Sequence, residues 1–168
     1  TKDRLYKTSD ELLAKRKNKA TDAKLKKEVN RFLDFRELAR RSLGKHWKKR
    51  TEAEQKEFVD ILRQLIERNY LKQARKNTGQ KVDYRGEKVR GKKAKVTTAI
   101  KIKKRRRVEE VLVVYKLRKR QGRWVDYDVI TDDVSIVRNY RSQFNRIIKK
   151  KSYKHLVDKM RRKLKKTT

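Results

Sequence analysis

"WVDYDVITDDVSIVRNYRSQF", residues 124–144, sets four aspartates and two arginines side by side in a chain whose formal net charge is +34. Crowded carboxylates could hold a metal ion, form a catalytic acid–base pair, or mark where a strand gives way to a helix. The spacing favours the last. Val125, Tyr127 and Val129 alternate with Asp126 and Asp128, which predicts a strand with an apolar face and an acidic face. Val134, Val137, Tyr140, Phe144 and Ile147 then step by three or four, which predicts a helix. Asp132 and Asp133 fall at its start, where unpaired N–H groups and the positive dipole end favour acids. A hard-cation site would need more convergent oxygen ligands and a glycine turn, and residues 126–133 contain no glycine. No metal site is expected. Spacing leaves open whether Asp128 is buried, so a catalytic carboxylate stays in play.

Upstream of this stretch the period is also two. "AKVTTAIKI" alternates through Val96, Thr98, Ile100 and Ile102, and "VLVVYKL" through Val111, Val113, Tyr115 and Leu117. "KVDYRGEKV" is a weaker strand ahead of them. The connecting turns are "RGKK", "KKRRR" and "RQGR", and strands joined by turns this short make an antiparallel meander. Before residue 76 the period is helical. Helices are predicted at "SDELLAKRKN" (9–18) and "DAKLKKEVNRFL" (22–33), the second with Leu25, Val29, Phe32 and Leu33 on one side. Asp34 restarts a helix as its N-cap, with Leu38 and Leu43 on one face and Gly44 as the stop. Thr51 and Glu54 form a capping box, followed by an apolar stripe through Phe58, Ile61, Leu62, Leu65, Ile66 and Tyr70. A last helix continues from Ser152 through Leu156, Met160 and Leu164.

This pattern is that of one α+β domain over residues 1–168: helical at 9–75, an antiparallel sheet of about four strands at 80–131, and C-terminal helices at 133–165. A 45% charged, 35% apolar composition leans toward disorder, but the periodicity argues for a fold wearing a basic coat. The charge distribution agrees. Residues 76–125 carry 19 lysines and arginines against 4 acids, whereas residues 51–75 and 126–144 have no positive excess and are strongly apolar. Polyanions are the natural partner class for such a coat: nucleic acid or an anionic phospholipid surface. The chain has no cysteine, which removes disulfides and thiolate metal sites.

Catalytic signatures are missing. His46 and His155, the only histidines, lie in no metal-binding spacing. No G-x-S-x-G occurs, and the spacing from Gly86 to Gly91 lacks the Lys-Ser/Thr of a phosphate loop. The basic runs Lys103–Arg107, Arg118–Arg120, Lys149–Lys151 and Arg161–Lys166 come without a recognition fold or an aromatic pair for stacking bases. Trp47, Phe58, Tyr70, Tyr115, Tyr127, Tyr140 and Phe144 point inward on this reading, and could either close a core or line a cavity.

Two segments carry a resemblance. "DFRELARRSLGKHWKKRTEAEQKEFVDILRQLIERNY" (34–70) and "GRWVDYDVITDDVSIVRNYRSQFNRII" (122–148) resemble the periplasmic phospholipid-binding proteins of the toluene-tolerance, MlaC-like, family. "LGKHW", the "TEAE" helix start, "YDV" and the "VS…NYRSQF" helix start follow the family's order and spacing across roughly residues 25–160. Asp133 departs from it, since relatives often have glycine before "VS". The resemblance implies a cone related to NTF2-like and cystatin-like folds, a curved antiparallel sheet wrapped by N- and C-terminal helices. It implies a soluble, non-enzymatic, monomeric carrier in the periplasm, made with a signal peptide these residues lack. Its cargo would be phospholipid, with no cofactor. Its partners would be the MCE-domain protein of an inner-membrane ABC transporter and an outer-membrane lipoprotein–porin complex.

Carried onto this chain, the implied lining is Phe35, Leu38, Leu43, Trp47, Phe58, Leu62, Leu65, Tyr70, Ile100, Val111, Val113, Tyr115, Tyr127, Val129, Ile136 and Tyr140. The rival readings are a polyanion or nucleic-acid binder built on the basic segments, and an enzyme pairing Asp128 with His46.

Overall fold

The computed structural model describes residues 19–76, 82–104 and 107–166. The candidate helix at 9–18 lies outside them. Three helices come first: α1 (Lys19–Phe32), α2 (Phe35–Leu43) and, after a 3-10 segment at Gly44–Lys49, α3 (Glu52–Lys76). Five strands follow, β1 (Val82–Arg90), β2 (Lys93–Lys104), β3 (Arg107–Arg120), β4 (Arg123–Thr131) and β5 (Val134–Ser135), and then α4 (Ile136–Lys150) and α5 (Tyr153–Lys165). The strands pair in chain order as one antiparallel meander. The sheet therefore has one strand more than the four expected, because residues 134–135 pair with Ile130 and Thr131 before the helix begins.

Local chemistry sets the helix ends. Asp34 caps α2 by accepting from the Glu37 amide at 3.1 Å, and Gly44 at φ 56 ends it. Thr51 and Glu54 close the capping box of α3 in both directions, at 2.8 and 3.2 Å. Ser152 caps α5 by accepting from the His155 amide. At α4 the expectation fails. Its cap is Ser135, whose hydroxyl accepts from the Arg138 amide. Asp132 and Asp133, at φ 48 and 59, instead form the two-residue turn of the β4–β5 hairpin, the left-handed pair that a type I′ turn demands. Val134, assigned to the helical stripe, lies in β5 and is exposed.

The core of the helical layer is continuous. Leu38, Ala39, Leu43, Trp47, Phe58, Ile61, Leu62, Val137, Phe144, Leu156, Val157 and Met160 form one buried cluster, with Leu65, Ile66, Tyr140 and Tyr153 packed against it. Phe58 sits at its centre, edge-on to Phe144 with centroids 5.6 Å apart, and Tyr140 stacks on Phe144 at 5.2 Å. Tyr153 donates its hydroxyl to the Glu54 carbonyl and holds α5 on α3. Among the described residues, no buried residue of the sheet belongs to this cluster. The helices meet the sheet chiefly along β4 and β5. There Leu33 bridges Asp126, and the Asp34 amide donates to the Asp126 carbonyl at 2.7 Å, so the α1–α2 junction closes that stretch of the β4 edge.

Candidate functional site

The ladder register defines what each sheet face carries. Ile100 lies opposite Val111, Thr98 opposite Val113, Val96 opposite Tyr115, and Ala94 opposite Leu117. Val129 lies opposite Tyr115 on the other side of β3. Side chains opposite one another share a face, so these residues form one inner surface. Thr98, Val111, Val113, Ala94 and Leu117 are buried, and Ile100, Val96, Tyr115 and Val129 are half-buried. The outer face differs: Leu112, Lys95, Lys101 and Glu110 are exposed. At the centre of the inner face the Thr98 hydroxyl donates to the Val113 carbonyl at 3.3 Å, and at its margins the face carries Glu87 opposite Val96, Thr131 opposite Val113 and Asp126 opposite Leu117. Two bulges, at Arg85 in β1 and at Tyr127 in β4, break the register and bend the sheet.

The β4 bulge overturns the expected alternation of that strand. Asp126 falls opposite Leu117 and Asp128 opposite Lys116, so the two carboxylates do not share a face, and Tyr127 is the extra residue. Nor is either aspartate on a solvent face, since both are buried. Asp128 accepts from the Ser135 hydroxyl at 2.8 Å and the Val137 amide at 3.1 Å, and pairs with the Lys116 ammonium at 3.4 Å. It fastens the start of α4 to the sheet. Asp126 has no comparable partner. Its Oδ1 is buried without a hydrogen bond, and burial pushes its carboxyl up to about 7.

A third group joins helix to sheet. Asp34 and Glu37 are buried on α2, and Arg118 pairs with both, at 2.6 and 3.3 Å, while Arg120 reaches Asp34 at 3.3 Å. The Arg40 guanidinium hydrogen-bonded to Glu37 lowers that carboxyl to about 2, against the opposing effect of burial.

The sixteen lining candidates separate into groups. Leu38, Leu43, Trp47, Phe58 and Leu62 lie within the helical core; Leu65 and Tyr140 pack against it. Phe35 is buried at the start of α2, outside the cluster. Ile100, Val111, Val113, Tyr115 and Val129 come together on the inner sheet face. Tyr127, half-buried, lies under the Arg41 guanidinium at 4.3 Å. Ile136 opens α4 and is exposed. Tyr70 is 38% exposed, yet desolvation raises its phenol pKa. Sequence reasoning passed over Val96, Thr98 and Leu117 as lining, although their spacing of two with Ile100 and Tyr115 was the signal.

Asp128 and His46 do not meet. His46 hydrogen-bonds Asn145 at 2.9 Å, eight residues along α4 from the Val137 that Asp128 holds. At 1.5 Å per residue those anchor points are about 12 Å apart. Among the described residues no group of three or more His, Cys, Asp or Glu is placed to hold a metal, and no helix is long and apolar enough to cross a membrane.

A bulged five-stranded meander with a largely apolar inner face, joined to a separately packed helical layer along one edge, defines an α+β domain of open-sheet type. The chain belongs to the MlaC protein family, whose pattern it matches over residues 3–162. Its fold is also similar to that of a phospholipid-binding protein from Ralstonia solanacearum, solved in complex with a phospholipid. The TM-score is 0.75 at 19% identity, over 96% of this chain and 93% of that one. No curated protein matches it.

Proposed function

We propose that this chain is a soluble periplasmic phospholipid carrier, which works by binding and not by making or breaking bonds. The observation that carries the reading is the inner sheet face: an apolar surface, in a chain of this family, that is no part of the helical core. Acyl chains laid on Ile100, Val111, Val113, Tyr115 and Val129 leave water at ~0.8 kcal/mol per CH₂. On this reading Tyr70 and Leu65 on α3 are assigned to the opposite wall, with Leu65 also packed against the helical core. The cargo moves between the MCE-domain protein of an inner-membrane ABC transporter and an outer-membrane lipoprotein–porin complex.

Organic extraction and mass spectrometry of protein purified in high salt without detergent tests this. About one diacyl phospholipid per chain is expected, and Tyr115→Glu and Leu65→Glu each lower that occupancy. Wild-type occupancy in both variants would refute the lining. A lipid-free wild type that still unfolds cooperatively would bring the polyanion reading forward.

A further inference from the structure

The β1–β2 and β3–β4 turns lie at the same end of the sheet and touch, with the Lys119 amide donating to the Lys92 carbonyl at 2.9 Å. Segments 88–95 and 118–124, which build this end, contain nine lysines and arginines and no acid. Arg118 and Arg120 turn back to Asp34 and Glu37. Lys88, Arg90, Lys92, Lys93, Lys95, Lys119 and Arg123 are all exposed and pair with no carboxylate among the described residues. Two apolar side chains stand among them: Trp124, 37% exposed, and Val89, 55% exposed. The register places both on the inner-face side, Trp124 opposite Lys119 and Val89 opposite Ala94.

We propose that this end of the sheet docks on a bilayer bearing anionic phospholipid headgroups, setting the rim of the inner face against that bilayer. The second half rests on the carrier reading; the docking itself does not. Lysines and arginines are drawn to an anionic leaflet over about a Debye length. Trp124 has the apolar body and polar N–H that suit the headgroup level. Val89 and Trp124 together favour a bilayer over a phosphate backbone, because a bilayer has hydrocarbon just behind its anions.

The test uses tryptophan emission of the full chain titrated with phosphatidylcholine vesicles, with and without phosphatidylglycerol. Subtracting the spectrum of Trp124→Phe removes Trp47, which is buried in the helical core. Trp124 emission should shift to the blue only with phosphatidylglycerol present. The exposed triple variant Lys92→Glu/Lys93→Glu/Arg123→Glu should bind at least about tenfold more weakly, as should wild type in ~0.5 M salt, with cargo occupancy unchanged. Four outcomes would overturn the docking: undiminished binding by the triple variant, equal binding to pure phosphatidylcholine, an unshifted Trp124, or capture of an acidic polypeptide without any vesicle binding. Docking by a wild type that extracts lipid-free would overturn the carrier reading and the rim placement alone.

Discussion

Phe58 and Val113 are both buried, but by different kinds of neighbour. Phe58 is wedged between Phe144 and Tyr153 from two other helices, in a core with aromatic contact on several sides. Val113 has Val111 and Tyr115 two residues away on its own strand and Thr98 and Thr131 across, all of the sheet, and no place in the helical cluster. One region is filled by the protein itself. The other presents apolar area whose remaining partner, on the carrier reading, is cargo.

Truncation separates the two most sharply. Phe58→Ala should cost about 4 kcal/mol in denaturant unfolding, with or without lipid, because the helical core cannot collapse around the void. Val113→Ala in lipid-free protein should cost ~1 kcal/mol, less than the same deletion in a filled core. An equal cost per methylene at both sites would break the distinction.

The seam between the regions should respond next. Asp128→Ala removes the bonds that tie α4 to β4 and leaves Lys116 without its buried partner; a loss of ~3 kcal/mol is expected, read by chemical denaturation. Asp126 acts in the opposite sense. Its folded carboxyl titrates at about 7 against an ordinary 3.8. The folded state thus holds the proton more tightly than the unfolded chain, and stability should fall as pH rises from about 4 toward 7. Asp126→Asn should flatten that slope and add ~2 kcal/mol at pH 8, measured as unfolding midpoints at pH 5 and pH 8. The smallest effect belongs to the hairpin. Asp133→Gly should add ~0.5 kcal/mol, since position 133 holds φ 59, which a residue without a Cβ adopts at no steric cost.

What could be read from the sequence tracks how local each signal is. The caps at Asp34 and at Thr51 with Glu54 satisfy backbone groups within three residues, so the side chains announce them. Asp132 and Asp133 misled because aspartate suits a helix start and a left-handed turn equally, and the choice lay with Ser135. The strand phases placed Ile100, Val111, Val113 and Tyr115 on one face correctly. They could not place Asp126 and Asp128, because a bulge inserts a residue with no mark in the pattern. The division between helical core and inner sheet face escaped for another reason. Leu62 and Val113 look alike as apolar positions, and only the long-range packing of α3 against α4 and α5 distinguishes them.

The two edges of the sheet also have different fates. The β4 edge is taken up by Leu33 and β5, whereas among the described residues β1 ends the ladder, with Arg85, Lys88 and Arg90 exposed. An open edge invites a strand from a second copy, and ordinarily invites aggregation. Here the bulge at Arg85 interrupts the row of N–H and C=O groups, and a second copy brings the same net charge of +34 to meet this one. A surface charge suited to finding membranes thereby also keeps the molecules apart from one another.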